Sequence, residues 1–344
     1  MSLLKLIKDD YKIISIVGMA KNSGKTVTLN HLLLEAMEEE IQIGITSLGR
    51  DGESLDLVTE TEKPRIFATE GTIIATATSL LSLGDANVEI IKVTDYRTPL
   101  GNVVLGRVRS SGYIQLAGPQ SLSEVKQVAE EMLNLGAKFV IIDGALDRRS
   151  SAAPTIADAT ILATGAVLSR DINRAIEETL HIVNTFNLPQ VEDKQARHLM
   201  EELMIRDEIG IIDRDLKVNI IPIKTALGGG QIIGESIKEA SEYLFIPGSL
   251  VNSTLEELIN STRKYKNIKI VIPDGTKIFI RPKEWLKFMR FGIKVMVLNE
   301  INLIAITLNP YATAGYYYEP FNYLETMQSY INTIPVMDLM LGGE

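Results

Sequence analysis

Hydrophobic positions along this chain come in short continuous runs alternating with three-and-four spacings, the rhythm of strands and helices in turn. Residues 11–18 predict a buried strand. Residues 25–40 predict a helix whose Val27, Leu29, Leu32, Leu33, Leu34 and Met37 include a core-facing stripe. Ile41 to Ser47 reads as a second strand, so strand, loop, helix and strand make one βαβ unit with parallel pairing. Gly71 to Leu83 has the small residues and apolar spacing of a helix, with Thr72 as its cap. Residues 88–95 and 102–117 read as strands, the latter an insertion hairpin, and Gln120 to Leu135 as an amphipathic helix capped by Ser121 or Ser123. Lys138 to Gly144 and Ala157 to Gly165 are core strands, and residues 171–187 are helical.

The second half repeats this rhythm more loosely. Residues 188–218, with Pro189 and a run of charges, read as a helical linker. Beyond it, strands are expected near 241–250, 268–275 and 277–280, and helices over Ser253 to Ser261, capped by Asn252 or Ser253, and Pro282 to Phe291. Lys294 to Leu298 and Asn302 to Leu308 look like hairpin strands around Asn299-Glu300, and Pro335 marks an edge strand over 334–340. Leu227 to Gly230 reads as a hinge or a site of close backbone approach. The expected class is α/β: a mostly parallel nucleotide-binding domain over 1–187, the linker over 188–218, and a second, smaller α/β domain over 219–344.

Composition narrows the classes of function. At 344 residues and 45% hydrophobic, the chain has material for about two domains. A net charge of −9 gives no electrostatic footprint for nucleic acid. The absence of cysteine excludes disulfides, thiolate zinc sites and cysteine nucleophiles, and fits a reducing compartment. Neither the mixed start, Met1 to Lys12, nor the interrupted apolar stretch Ile293 to Leu308 reads as a signal peptide or a membrane span, so a soluble cytoplasmic protein is expected.

The chemistry concentrates where the first strand ends. Gly18-Met19-Ala20-Lys21-Asn22-Ser23-Gly24-Lys25-Thr26 is a small-residue loop opening a helix with Gly-Lys-Thr. Main-chain amides of such a loop and of the helix start face phosphate, the lysine reaches the terminal phosphates, and the Thr26 hydroxyl ligates Mg²⁺. The strict pattern places a glycine where this chain has Met19, with Gly18 one position early. Phe139 to Asp143 is an apolar strand with a carboxylate at its tip, the Walker B pattern that helps hold Mg²⁺, although Asp-Gly also begins ordinary turns. Arg50, Asp51 and Glu53 follow the second strand on the ligand side of such a sheet, and Asp51 or Glu53 would position water or sense the γ-phosphate. Asp147, Arg148 and Arg149 belong to the same rim, as phosphate contacts or a surface ion pair. Asp274-Gly275 repeats the Asp-Gly tip without a Gly-Lys-Thr, so no second nucleotide site is inferred. His31, His181 and His198 are scattered and read as satisfied side chains. The aromatic stretch Tyr311 to Tyr318 makes contacts to a partner or ligand, or packs under its own loop.

The loop resembles those of P-loop NTPases. The deviant loop of the MinD-like ATPases carries a lysine where this chain has Ala20, with Lys21 one place later. Lys21 to Thr26 is more similar to the Lys-Asn-Ser-Gly-Lys-Thr loops of the molybdopterin-guanine dinucleotide biosynthesis adaptor proteins. GTPases read guanine with Asn-Lys-x-Asp after a later strand. Ser169-Arg170-Asp171 stands near that point here, which favours ATP. The stretch Ile16 to Asn30, the Arg50-Asp51-Gly52-Glu53 loop and the tail Asn309-Pro310-Tyr311 together resemble the smaller, ATPase-like subunit of the lysine 5,6-aminomutase reactivase. That resemblance implies ATP and Mg²⁺ as cofactors, a larger MutS-like subunit as partner, and an adenosylcobalamin-dependent aminomutase as the enzyme restored.

Catalysis is then expected from Lys25, Asp51 and Asp143, nucleotide binding from Gly18, Lys21, Asn22, Ser23, Gly24, Lys25 and Thr26, and metal binding from Thr26 and Asp143. A homodimer is compatible with this reading, and neither membrane nor nucleic acid is an expected partner. The rival readings are a small-molecule kinase or ATP-dependent ligase of cofactor metabolism, and a nucleotide-gated binding module without catalysis.

Overall fold

The structure, a computed structural model, describes residues 2–49, 66–144 and 152–341. In chain order its elements begin with β1 (Ile13–Gly18), α1 (Lys25–Glu38), β2 (Gly44–Ser47), β3 (Ile66–Ala68), β4 (Ile73–Ala77), β5 (Asn87–Thr98) and β6 (Gly101–Ser110). Then come β7 (Gly112–Ile114), α2 (Leu122–Asn134), β8 (Val140–Gly144), β9 (Ala159–Gly165), α3 (Ile172–Phe186), α4 (Lys194–Arg206), β10 (Gly210–Asp213) and β11 (Val218–Ile220). They continue with α5 (Gly230–Ser236), β12 (Ser241–Phe245), β13 (Leu250–Val251), α6 (Asn252–Ser261), β14 (Lys269–Ile272), β15 (Ile278–Phe279) and α7 (Pro282–Arg290). The last are β16 (Lys294–Val297), β17 (Leu303–Asn309), α8 (Pro320–Tyr330) and β18 (Val336–Asp338).

The class is mixed α/β with one large, mostly parallel sheet. Its nine strands run in the order β18-β17-β9-β1-β8-β2-β4-β6-β5. From β18 to β4 every pairing is parallel, and β6 and β5 close the sheet as an antiparallel hairpin. The interior of β1 explains its place. All six of its residues are buried, as expected of a parallel strand covered on both faces. Ile14 and Ile16 pack in one cluster with Leu29, Leu32 and Leu33 of α1, whereas Ile13 packs in another with Val125, Val128 and Met132 of α2. Alternate residues of one strand thus serve helices on opposite faces. Each fully buried Leu of α1 contributes about 1.5–3 kcal/mol of transfer free energy. Helix α2 is capped by Ser121, whose side chain accepts from the Glu124 amide.

Contacts divide the chain into two compact units, Met1–Leu180 with Asn302–Glu344, and His181–Ile301. The second unit has its own five-stranded sheet, β11-β10-β12-β14-β16, and its own core around Leu244, Ile270, Trp285 and Phe288. This differs from the three-part order expected over 1–187, 188–218 and 219–344. Residues 302–344 belong to the first unit because β17 and β18 extend the large sheet from β9. Helix α4 and strand β10, expected within a linker, supply Ala196, Met200, Leu203 and Ile212 to a core of the second unit.

Three local expectations are corrected. Residues 71–83 form not a helix but β4 and a 3₁₀ turn, Thr78–Leu83, because β2 and β6 pair with β4 on both sides. Lys294–Val297 and Leu303–Asn309 are not a hairpin. They join different sheets, and Asn299-Glu300 lacks the glycine of a tight hairpin turn. Helix α6 starts at Asn252 without a side-chain cap. Strand β18 does lie at the sheet edge, as Pro335 suggests. Among the described residues no helix is long and apolar enough to cross a membrane.

Candidate functional site

Strand β1 sits between β8 and β9. The chain leaves β1 through α1 towards β2, on the β8 side, whereas β17 extends the sheet on the β9 side. A parallel sheet whose connections diverge in this way opens a crevice beyond the carboxyl ends of its central strands. Residues 18–25 and Asp143 both lie at such ends.

The loop after β1 turns back on itself. A Cβ at Gly18 would lie 2.6 Å from Ser23 Oγ and 3.6 Å from Lys25 Cβ. Gly18 therefore lets the loop fold down against the strand end, although it stands one position earlier than the strict pattern asks. The Met19 amide donates to Ala163 O of β9 at 2.8 Å, and the Ser23 amide to Ala20 O at 3.2 Å. Asn22 has φ +65° and Gly24 φ +99°, both left-handed, and this reversal aims the chain into α1. Helix α1 starts at Lys25 with Gly24, which has no side chain to cap it, at its N-cap, and with no acidic residue in its first turn. Such an end carries partial positive charge and suits an anion. Ser23 Oγ is buried with no hydrogen-bond partner among the described residues.

Lys25 and Asp143, 118 positions apart by their numbers, meet here. Lys25 Nζ lies 3.1 Å from Asp143 Oδ1, with the side chains 14% and 13% exposed. The β1–β8 register explains the approach, since Asp143 pairs with Ile16 two residues before the end of β1. Thr26, the second residue of α1, is half-buried, and Lys21 is exposed on the loop. Mg²⁺ keeps several waters and takes one or two protein oxygens beside its phosphates, so a hydroxyl at the helix start and a carboxylate on the adjoining strand fit its demands. Arg50, Asp51, Glu53, Asp147, Arg148 and Arg149 lie outside the described residues.

Sequence reasoning missed the contribution of β17. Asn309, at the end of that strand, donates from Nδ2 to Asn22 O at 3.0 Å, and Thr307 Oγ1 lies 2.7 Å from Thr28 Oγ1 of α1. A polar residue ending an apolar parallel strand was the available signal, obscured by the hairpin reading.

Ser169, Arg170 and Asp171 are engaged within the fold. Ser169 O accepts from the Tyr318 hydroxyl, the Arg170 guanidinium lies 5.3 Å from the Tyr316 ring centroid, and Asp171 accepts from the Asn173 amide. Tyr316 donates to Ala166 O at 2.8 Å. Part of the aromatic loop is thus packing, while Tyr311 and Tyr317 stay exposed as a ring pair with centroids 5.9 Å apart. Burial pushes the Tyr318 hydroxyl up to about 12 and raises Tyr323 and the Asp338 carboxyl as well.

The remaining candidates are structural. His181 Nε2 meets Ile280 O at 2.8 Å, and His31 and His198 each lie 3.5 Å from a glutamate one helical turn on. Asp274 accepts from the amide and hydroxyl of Thr276. Among the described residues no group of three or more histidines and acids is placed to hold a metal. Compared with protein-family models, curated proteins and solved structures, the chain matches none.

Proposed function

We propose that this protein binds a nucleoside triphosphate with Mg²⁺, ATP in preference to GTP, and hydrolyses it slowly by itself. The observation that carries the reading is the meeting of Lys25 and Asp143 at 3.1 Å beside the glycine-capped start of α1, at the carboxyl ends of adjacent central strands. An ammonium and helix amides suit a phosphate chain, and a carboxylate one strand away suits its metal. On this reading Lys25 would pair with the terminal phosphates, and Thr26 and Asp143 would hold Mg²⁺, which would neutralise charge on the phosphates. Gly18, Lys21, Asn22, Ser23 and Gly24 shape the loop. Asp51 is the residue proposed to orient the attacking water.

The cellular role proposed is reactivation of an adenosylcobalamin-dependent aminomutase together with a MutS-like subunit. It rests on the resemblance of the sequence alone. Equilibrium binding of ATP and GTP with and without Mg²⁺, followed by phosphate release, tests the reading. Micromolar, Mg²⁺-dependent ATP binding with turnover raised by an aminomutase complex is expected (about 8 kcal/mol of binding free energy at 1 μM). Absence of binding to either nucleotide would refute it. Fast turnover that requires a small metabolite would replace it with a kinase or ligase.

A further inference from the structure

We infer that Asn309 is a positioning residue that clamps the phosphate loop, setting the backbone geometry in which the loop amides and Lys25 meet a triphosphate. The inference rests on the nucleotide-binding reading above and adds to it a residue 287 positions from the loop it holds.

Asn309 ends β17 level with Gly165 of β9. Its carboxamide bonds at both ends: Nδ2 donates to Asn22 O at 3.0 Å, and Oδ1 accepts from the Tyr311 amide at 3.1 Å. Only this orientation satisfies both partners, one a carbonyl and the other an N–H. The carbonyl it grips belongs to Asn22, the non-glycine residue of the loop in the left-handed region, at φ +65°. Such a conformation is costly for an L-residue and persists where surrounding bonds over-determine it.

Two glycines make room for the clamp. A Cβ at Gly24 would lie 3.0 Å from Asn309 Cβ, and one at Gly165 would lie 2.2 Å from Asn309 O. Two residues earlier on β17, Thr307 meets Thr28 in a buried hydroxyl pair at 2.7 Å. Strand β17 therefore holds the turn before α1 through Asn309 and the first turn of α1 through Thr307. The Thr307 pair secures the helix body, and the Asn309 bond acts on the backbone that would face phosphate.

The test compares wild type with Asn309→Ala and Thr307→Val, measuring affinity for ATP and for inorganic triphosphate, both with Mg²⁺, and the thermal midpoint. Inorganic triphosphate has no base or ribose and reports the loop alone. The clamp predicts that Asn309→Ala weakens both ligands alike, by about three- to tenfold, the worth of one neutral hydrogen bond. Thr307→Val is expected to lower the midpoint and leave both affinities within twofold. Asn309→Ser, a milder change with the same expected losses, serves if the alanine variant does not fold. Unchanged affinity for inorganic triphosphate in the Asn309 variants would overturn the clamp, whether or not ATP binding falls. If wild type binds neither ligand, the underlying nucleotide reading fails, and the clamp with it.

Discussion

Replacing Lys25 by methionine keeps the length of the side chain and removes its charge, so it acts on two quantities that the geometry separates. The first is ligand affinity. A charge-assisted hydrogen bond to phosphate contributes about 1.5–3 kcal/mol, so Lys25→Met should weaken ATP binding about 10- to 150-fold. The second is stability. The Lys25 ammonium lies 3.1 Å from Asp143 Oδ1, and both side chains are more than four-fifths covered. Removing one partner of a fully buried pair costs about 3–5 kcal/mol; the remaining exposure here lowers that to about 1–3 kcal/mol. In a unit of this size each kcal/mol moves the thermal midpoint by about 2–4 °C. Adding Asp143→Asn to Lys25→Met removes the carboxylate left without its ammonium. The double variant should regain most of the lost stability and none of the affinity. Fluorescent-nucleotide titration and thermal unfolding of wild type, both single variants and the double variant measure the cycle. Lys25→Met affinity within threefold of wild type would refute the phosphate role. A double variant no more stable than Lys25→Met would refute the coupling to Asp143.

Other outcomes follow from burial and ionisation. Leu32→Ala empties a fully buried position between α1 and β1 and should cost about 2–5 kcal/mol in denaturant unfolding, with unchanged nucleotide affinity in the folded fraction. Asp338 has its carboxyl raised by burial, so its favourable contribution is complete below the ordinary value of 3.8 and lost as pH rises. Asp338→Asn should therefore raise the thermal midpoint at neutral pH, and the gain should shrink as pH falls towards that value. Tyr318 titrates at about 12 against an ordinary 10.0, so the stability its neutral hydroxyl provides is complete below pH 10.0 and drains away as pH rises through about 12. Tyr318→Phe should cost about 0.5–1.5 kcal/mol at neutral pH, the worth of its bond to Ser169 O, and that cost should fall away as pH rises above 10.0. A Tyr318→Phe penalty unchanged across that range would exclude the ionisation.

What the sequence made legible was local. The run Ile13 to Val17 announces a buried strand, the spacing of Leu29, Leu32 and Leu33 a core-facing helix, and a carboxylate after Phe139 to Ile142 a strand tip on the ligand side. Those signals mark Lys25 at a helix start and Asp143 at a strand tip; that β1 and β8 are neighbours comes from the sheet order. The errors were tertiary. Ile73 to Ala77 reads as helix by its small residues, but pairing with β2 and β6 decides for a strand. Lys294–Val297 and Leu303–Asn309 are neighbours in sequence and belong to different sheets, and no periodicity distinguishes that from a hairpin. Once β17 was misplaced, Asn309 could not be connected with Asn22, because their bond depends on strand order across the large sheet. Asp51 and Glu53, read from sequence as ligand-side residues, lie outside the described residues and stay a matter of sequence alone.

The most direct measurement is a crystal structure with Mg²⁺ and a non-hydrolysable ATP analogue. The account predicts a triphosphate wrapped by residues 18–26, the Lys25 ammonium moved from Asp143 to phosphate oxygen, and the metal shared by Thr26 and Asp143 through oxygen or water. An empty loop with the 3.1 Å Lys25–Asp143 contact intact, or an analogue bound elsewhere, would contradict it.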